Sequence, residues 1–196
     1  MPANEDKVLN SDNPLKMRRE ERETMGAEME DLTFFDKLVL WLLAHGEKSR
    51  ATRLQKMGLI VNSVIEGKTP SSHGPYNFGG FSDEIEGAII DLSEEGLVKN
   101  EAGIYRLTTH GKEILEQLQS SKDQESKRIK GVSETITQGL RRLPDKDVTA
   151  LTYVLFPELA KDSMIRKDVE RRIPAVCREL NIVEFKRSEL KNFLSH

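Results

Sequence analysis

At 196 residues, with 37% hydrophobic and 32% charged side chains and a formal charge of −3, the chain is long enough to bury one good-sized core in water. Its longest apolar run, residues 38–44, falls far short of the ~20 residues a membrane span needs, and the polar, acidic opening lacks the pattern of a secretory signal, so no membrane partner and a cytoplasmic location are expected. The single cysteine, Cys177, excludes an internal disulfide and a thiolate zinc cluster, and is expected to be a small packing residue on a helix.

The net charge becomes informative when divided. Residues 1–31 hold five basic and nine acidic side chains, residues 32–119 nine and twelve, and residues 120–196 sixteen and twelve, so the excess of positive charge sits in the last third. A local field, not the total, holds phosphate.

Residues 1–31 lack an apolar stripe and read as a polar N-terminal tail, partly helical over 16–29 where opposite charges fall in i,i+4 reach. From Thr33 the pattern changes. Phe35, Leu38, Val39 and Leu42 fall on one face of a first helix that stops at His45-Gly46. A polar link over 47–51 leads to a second helix with Leu54, Met57, Val61, Val64 and Ile65 as its apolar face, ended by Gly67. Residues 68–80 form a long Gly/Pro/Ser-rich connection, in which Tyr76 and Phe78 are expected to pin the loop by packing.

The stretch 81–118 is the most readable. Ile85, Ala88, Ile89 and Leu92 mark a third helix with one buried face, opened by Ser82 or Asp83 and ended by Gly96. A strand then begins at Leu97-Val98, residues 100–103 make a polar turn, Ile104 to Leu107 return, and Thr108 or Thr109 caps a closing helix through Ile114, Leu115 and Leu118. Helix, hairpin, helix in this order predicts a winged helix-turn-helix domain over 32–120, mainly α with a small β-hairpin wing. Residues 120–126 read as a hinge into an all-helical C-terminal region, 121–196. There Ile129, Val132, Ile136 and Leu140 stripe one helix over about 127–143, Asp145 caps the next, Pro157 breaks it, and Pro174 marks a kink or a junction.

Charge sets the functional expectation. In a winged helix the element before the wing enters the major groove with its N-terminal residues. Here residues 81–96 carry Asp83, Glu84, Glu86, Asp91, Glu94 and Glu95 and no basic side chain, an arrangement that repels phosphate. Helix-dipole stabilisation accounts for Asp83 and Glu84 on its own. Basic residues lie on the neighbours: Arg50, Arg53 and Lys56 at three-residue spacing on the second helix, with Lys48 beside them, and Lys99, Arg106 and Lys112 on the wing and closing helix. The second-helix run either contacts phosphate or pairs with the acidic third helix.

The first expectation is therefore a regulator that binds double-stranded DNA through Arg50, Arg53, Lys56, Lys99, Arg106 and Lys112, by backbone contacts with little base readout. The alternative is a protein-interaction adaptor or antitoxin-like module, docking through Asp83, Glu84, Glu86, Tyr76 and Phe78 in place of DNA. Residues 73–81 have neither P-loop nor dinucleotide-turn spacing, His73 and His110 lack a second ligand at metal spacing, and no nucleophile-base motif occurs. Catalysis, a cofactor and a metal are thus not expected.

The strings L-S-E-E-G-L-V and Y-R-L-T-T-H-G-K-E-I-L within 92–115 resemble the helix–wing–helix passage of PadR- and MarR-type winged-helix regulators. More narrowly, T-R-L-Q-K at 52–56, P-Y-N-F-G-G-F-S-D-E-I at 75–85, the wing and Y-V-L-F-P-E-L at 153–159 resemble YwgA-like winged-helix proteins, related in pattern to the Panacea antitoxin domain. The resemblance spans residues 36–165. It implies a regulator or interaction module without a cofactor, and pairing through terminal helices into a homodimer.

Overall fold

A computed structural model describes residues 29, 31–46 and 48–180 and divides the chain into two units, Met1–Leu32 and Thr33–His196. Apart from residues 29 and 31, the polar tail expected over 1–31 lies outside the described residues, as do residues 181–196 of the expected C-terminal region. In chain order the second unit contains α1 (Phe34–Gly46), β1 (Ser49–Arg50), α2 (Ala51–Glu66), α3 (Asp83–Glu94), β2 (Val98–Glu101), β3 (Ile104–Leu107), α4 (Thr109–Ser120), α5 (Gln124–Gly139), α6 (Asp145–Leu155), a 3₁₀ turn (Pro157–Leu159), α7 (Arg166–Glu170) and α8 (Ile173–Glu179). It is mainly helical, with a small antiparallel sheet, and has the winged-helix arrangement expected.

Helix α1 opens with a reciprocal cap. The Asp36 N–H donates to Thr33 Oγ1 at 3.2 Å, while the Thr33 backbone N–H and hydroxyl donate to the Asp36 carboxylate at 2.8 and 2.6 Å. Every residue from Leu38 to Leu43 is buried, so α1 is enclosed beyond the single face its spacing predicts. It packs against α2, α3, α4, α5 and β3.

The wing is a three-stranded sheet in the order β1-β3-β2, with Ser49 opposite Tyr105, Arg50 opposite Ile104 and Lys99 opposite Arg106. The expected polar link over 47–51 therefore contains a strand. Two residues carry no alternation for a pattern to reveal; pairing with β3 creates it. Ala102 (φ 53°) and Gly103 (φ 80°) form the left-handed pair of a tight hairpin turn, closed by Asn100 Oδ1 accepting from the Gly103 N–H at 2.9 Å. Ser82 caps α3 and Thr108 caps α4, each hydroxyl accepting the N–H three residues on, as the sequence predicts.

The hinge expected at 120–126 is instead an anchored corner. Asp123 caps α5 through the N–H groups of Glu125 and Ser126, Lys37 bridges Asp123 and Glu125 at 2.9 and 3.1 Å, and the Trp41 indole N–H donates to the buried Ser126 hydroxyl at 3.0 Å. Helix α5 accordingly starts at 124 and ends at 139, short of the expected 143. Pro144, not Asp145, occupies the cap position of α6. Pro174 lies in the first turn of α8, where a missing N–H costs nothing. Helix α5 lies on α1 and α2, and α6 on α2, so Ile129, Ile136, Val148 and Leu151 join the same core as Leu54 and Leu59. Residues 121–180 pack on the helices before them and do not form a body of their own.

Candidate functional site

Helix α3, at the position of a recognition helix, turns its apolar arc inward and its charge outward. Ile85, Ala88, Ile89 and Leu92 are buried, while Asp83, Glu84, Glu86, Asp91 and Glu94 are exposed along the opposite arc. Within that acidic arc stands Ile90, 51% exposed, with Glu86 and Glu94 four residues to either side. At the helix start Ser82 Oγ accepts from the Ile85 N–H at 3.2 Å and donates to the Glu84 carboxylate at 2.9 Å, so the first acids also serve the positive end of the helix.

The connection over 68–80 folds beside this arc. Gly74 and Phe81 exchange backbone hydrogen bonds at 2.8 and 3.0 Å, closing the tip. The loop is not pinned by Tyr76 and Phe78, as expected from their size; both remain 48% exposed. Its anchors are backbone groups. The Asn77 carbonyl accepts from the Met164 N–H at 3.0 Å and the Ser163 hydroxyl at 3.2 Å, and Ser163 in turn bonds the Tyr153 hydroxyl. Gly79, at φ 83°, lies flat on the Tyr153 ring, where a Cβ would come within 2.6 Å of a ring carbon. On the other side the Gln55 amide exchanges two hydrogen bonds with the Ser82 backbone at 2.9 and 3.0 Å, and Lys56 Nζ donates to the Gly80 carbonyl at 2.7 Å.

Holding the loop by its backbone leaves its rings free to line a surface. Tyr76 packs on Phe81 with centroids 4.8 Å apart. Together with Phe78 and Tyr105 of β3 they wall a pocket of about 320 Å³, which also touches Glu86 and Ile90 of α3. Tyr76 and Phe78 were legible as a presented pair; Phe81, Ile90 and Tyr105 were not singled out. Ile90 carried a signal, a large aliphatic side chain outside the apolar stripe, whereas Tyr105 reaches the pocket only through its place in the sheet.

Two of the six cations expected at phosphate are taken into the fold. Lys56 is 2% exposed and bonded to Gly80. Arg53 Nη1 donates to the Leu143 carbonyl at 2.8 Å and Asp145 at 3.1 Å, and Nη2 to the Leu140 carbonyl at 3.0 Å, capping the open end of α5. Neither contacts α3 in the salt bridges considered for them, because both point from α2 toward other walls of the core. On the wing Lys99 and Arg106 face one another and share Glu101, at 3.0 and 2.6 Å, and the Glu101 carboxyl is held below its usual range by Lys99 and Arg106. Arg50 and Lys112 are exposed. Arg50 meets Lys146 and Arg171 along a cleft of about 660 Å³, which Asp145 and Asp168 also line.

Beneath the loop lie two buried nitrogen bases. Burial pushes Lys56 down to about 8. His73, 5% exposed with Nδ1 3.2 Å from the Ser72 hydroxyl, is pushed down to about 4 by burial, reinforced by the Lys56 charge and opposed by Glu84. His73 is thus neutral at physiological pH. Among the described residues no group of three or more His, Cys, Asp and Glu side chains could hold a metal ion, and no helix is long and apolar enough to cross a membrane. No protein-family model, no curated protein and no solved structure matches the chain.

Proposed function

We propose that the chain is a protein-binding winged helix, whose outer α3 face and adjoining loop receive a basic, partly apolar segment of another protein. The observation that carries this reading is the exposure of Ile90 among the carboxylates of Glu86, Asp91 and Glu94, on the helix that a DNA-binding winged helix would present to the major groove, with the exposed Tyr76 and Phe78 of the adjoining loop sharing a pocket with Glu86 and Ile90. Large apolar groups ringed by one sign of charge suit a partner of opposite charge, which steers encounter while apolar burial supplies affinity. The internal use of Arg53 and Lys56 and the Glu101 pairing of the wing cations weaken the competing DNA surface. The resemblance to YwgA-like proteins accords with an interaction module.

Capture from the native lysate tests this. The full chain should retain a stoichiometric basic partner, and Asp83→Lys, Glu86→Lys and Glu94→Lys together should release it; retention by the triple variant overturns the reading. Duplex DNA is the second reading, supported by Arg50, Lys146 and Arg171 along one cleft. It requires salt-sensitive binding of random duplex that Arg50→Ala with Arg171→Ala weakens for all sequences alike. Absence of such binding at low ionic strength removes it.

A further inference from the structure

Four aromatic side chains that are distant in sequence or reach outward from a loop converge on one small pocket: Tyr76, Phe78 and Phe81 from the loop and Tyr105 from β3. Aromatic rings attract a cation placed over their faces, and Glu86 lines the same pocket. The one cation of the lining, Lys56, has its Nζ bound to the Gly80 carbonyl at 2.7 Å, beneath the loop. The surface leading to the pocket is the acidic arc of α3. Resting on the reading of this face as a protein-docking surface, we infer that the pocket is a receptor for one cationic side chain of the partner, an arginine or lysine whose charged head stacks among Tyr76, Phe78, Phe81 and Tyr105 and pairs with Glu86.

Arginine fits best, because its planar guanidinium stacks on a ring with one face and donates to a carboxylate at its edge, and because it sheds water more readily than an ammonium group. A purely aliphatic side chain would fill the volume without using Glu86. A phosphate-bearing group would meet the carboxylates of α3.

The test titrates the isotopically labelled full chain with N-acetyl-arginine amide, N-acetyl-citrulline amide and N-acetyl-norleucine amide, following backbone amide resonances. Arginine should shift Phe78, Gly79 and Tyr105 saturably, and citrulline, equal in shape but uncharged, should bind about tenfold more weakly. Phe78→Leu and Tyr105→Leu should each weaken arginine binding, with the amides of α5 and α6 unmoved as the control for folding. Equal binding of citrulline or norleucine overturns the inference, and so do shifts that arise away from the pocket. The docking reading fails separately. Arginine seated in the pocket while the full chain retains no basic partner removes the partner and leaves the pocket, whereas partner capture that survives both Phe78→Leu and Tyr105→Leu removes the pocket's role.

Discussion

Helix α2 carries two cations, Arg53 and Lys56, in sixteen residues and α3 five acids in twelve, and the fold treats the two sets of charges in opposite ways. The cations of α2 are drawn into the interior, Arg53 as a cap for the end of α5 and Lys56 as a tie to Gly80. The acids of α3 stay in water. The difference follows from what surrounds each helix. Helix α2 is walled by α1, α3, α5 and α6, so that every residue from Leu54 to Ser63 is buried and a long side chain must find a carbonyl. Helix α3 has neighbours on one side only. A run of like charges therefore stays on the surface only where one side of its helix is left uncovered.

Breaking the α2 side of this contrast should have the largest effect. Arg53→Ala removes the donors from two backbone carbonyls and from Asp145 at once, and should lower stability by about 3 kcal/mol in urea unfolding. Arg53→Lys should recover only part of this, since one ammonium cannot span the three acceptors. A loss below about 1 kcal/mol would mean that Arg53 is no more committed to the interior than the α3 acids are.

The next effect appears with pH. Lys56 binds its proton less tightly in the folded state, at about 8 against 10.5 unfolded. Between those values the unfolded chain holds more protons, so stability should rise as pH climbs from about 8, by up to about 3 kcal/mol, and Lys56→Met should abolish the rise. His73 obeys the same sign lower down, since its folded value near 4 lies below 6.5. Stability should fall as pH drops from 6.5 toward 4, and His73→Leu should flatten that part of the profile by up to about 3 kcal/mol. Both slopes are read from urea midpoints across pH.

The α3 side should yield the smallest change. Glu86→Gln with Glu94→Gln should shift stability by no more than about 0.5 kcal/mol, because both carboxylates are solvated and neither is a partner of the Ser82 hydroxyl that caps the helix. A larger loss would show that the acidic arc is structural, and would erase the contrast with α2.

Local signals account for the legible part of the fold. Ser82, Gly96 and Thr108 terminate or cap their elements through short-range hydrogen bonds and backbone conformation, so α3, the hairpin and α4 fall within about two residues of expectation. Where long-range partners decide, the sequence is mute. The two-residue strand β1 exists only through β3, and the three-residue spacing of Arg50, Arg53 and Lys56 says that they share a side of a helix without saying that α5 and the loop cover two of them. The candidate site was half visible. Tyr76 and Phe78 announced themselves as bulky residues in a Gly-rich loop, but their exposure depends on Asn77 and Gly79 anchoring the backbone between them, and Tyr105 joins them only across the sheet.

That anchorage has a consequence for the order in which the molecule is made. Asn77 is held by Ser163 and Met164, more than eighty residues later in the chain. As the chain leaves the ribosome, α1 through α4 can collapse around their shared core while the segment that fastens the loop has yet to be synthesised. A chain stopped before residue 163 would carry the wing and its helices without the hydrogen bonds that fasten the aromatic loop at Asn77.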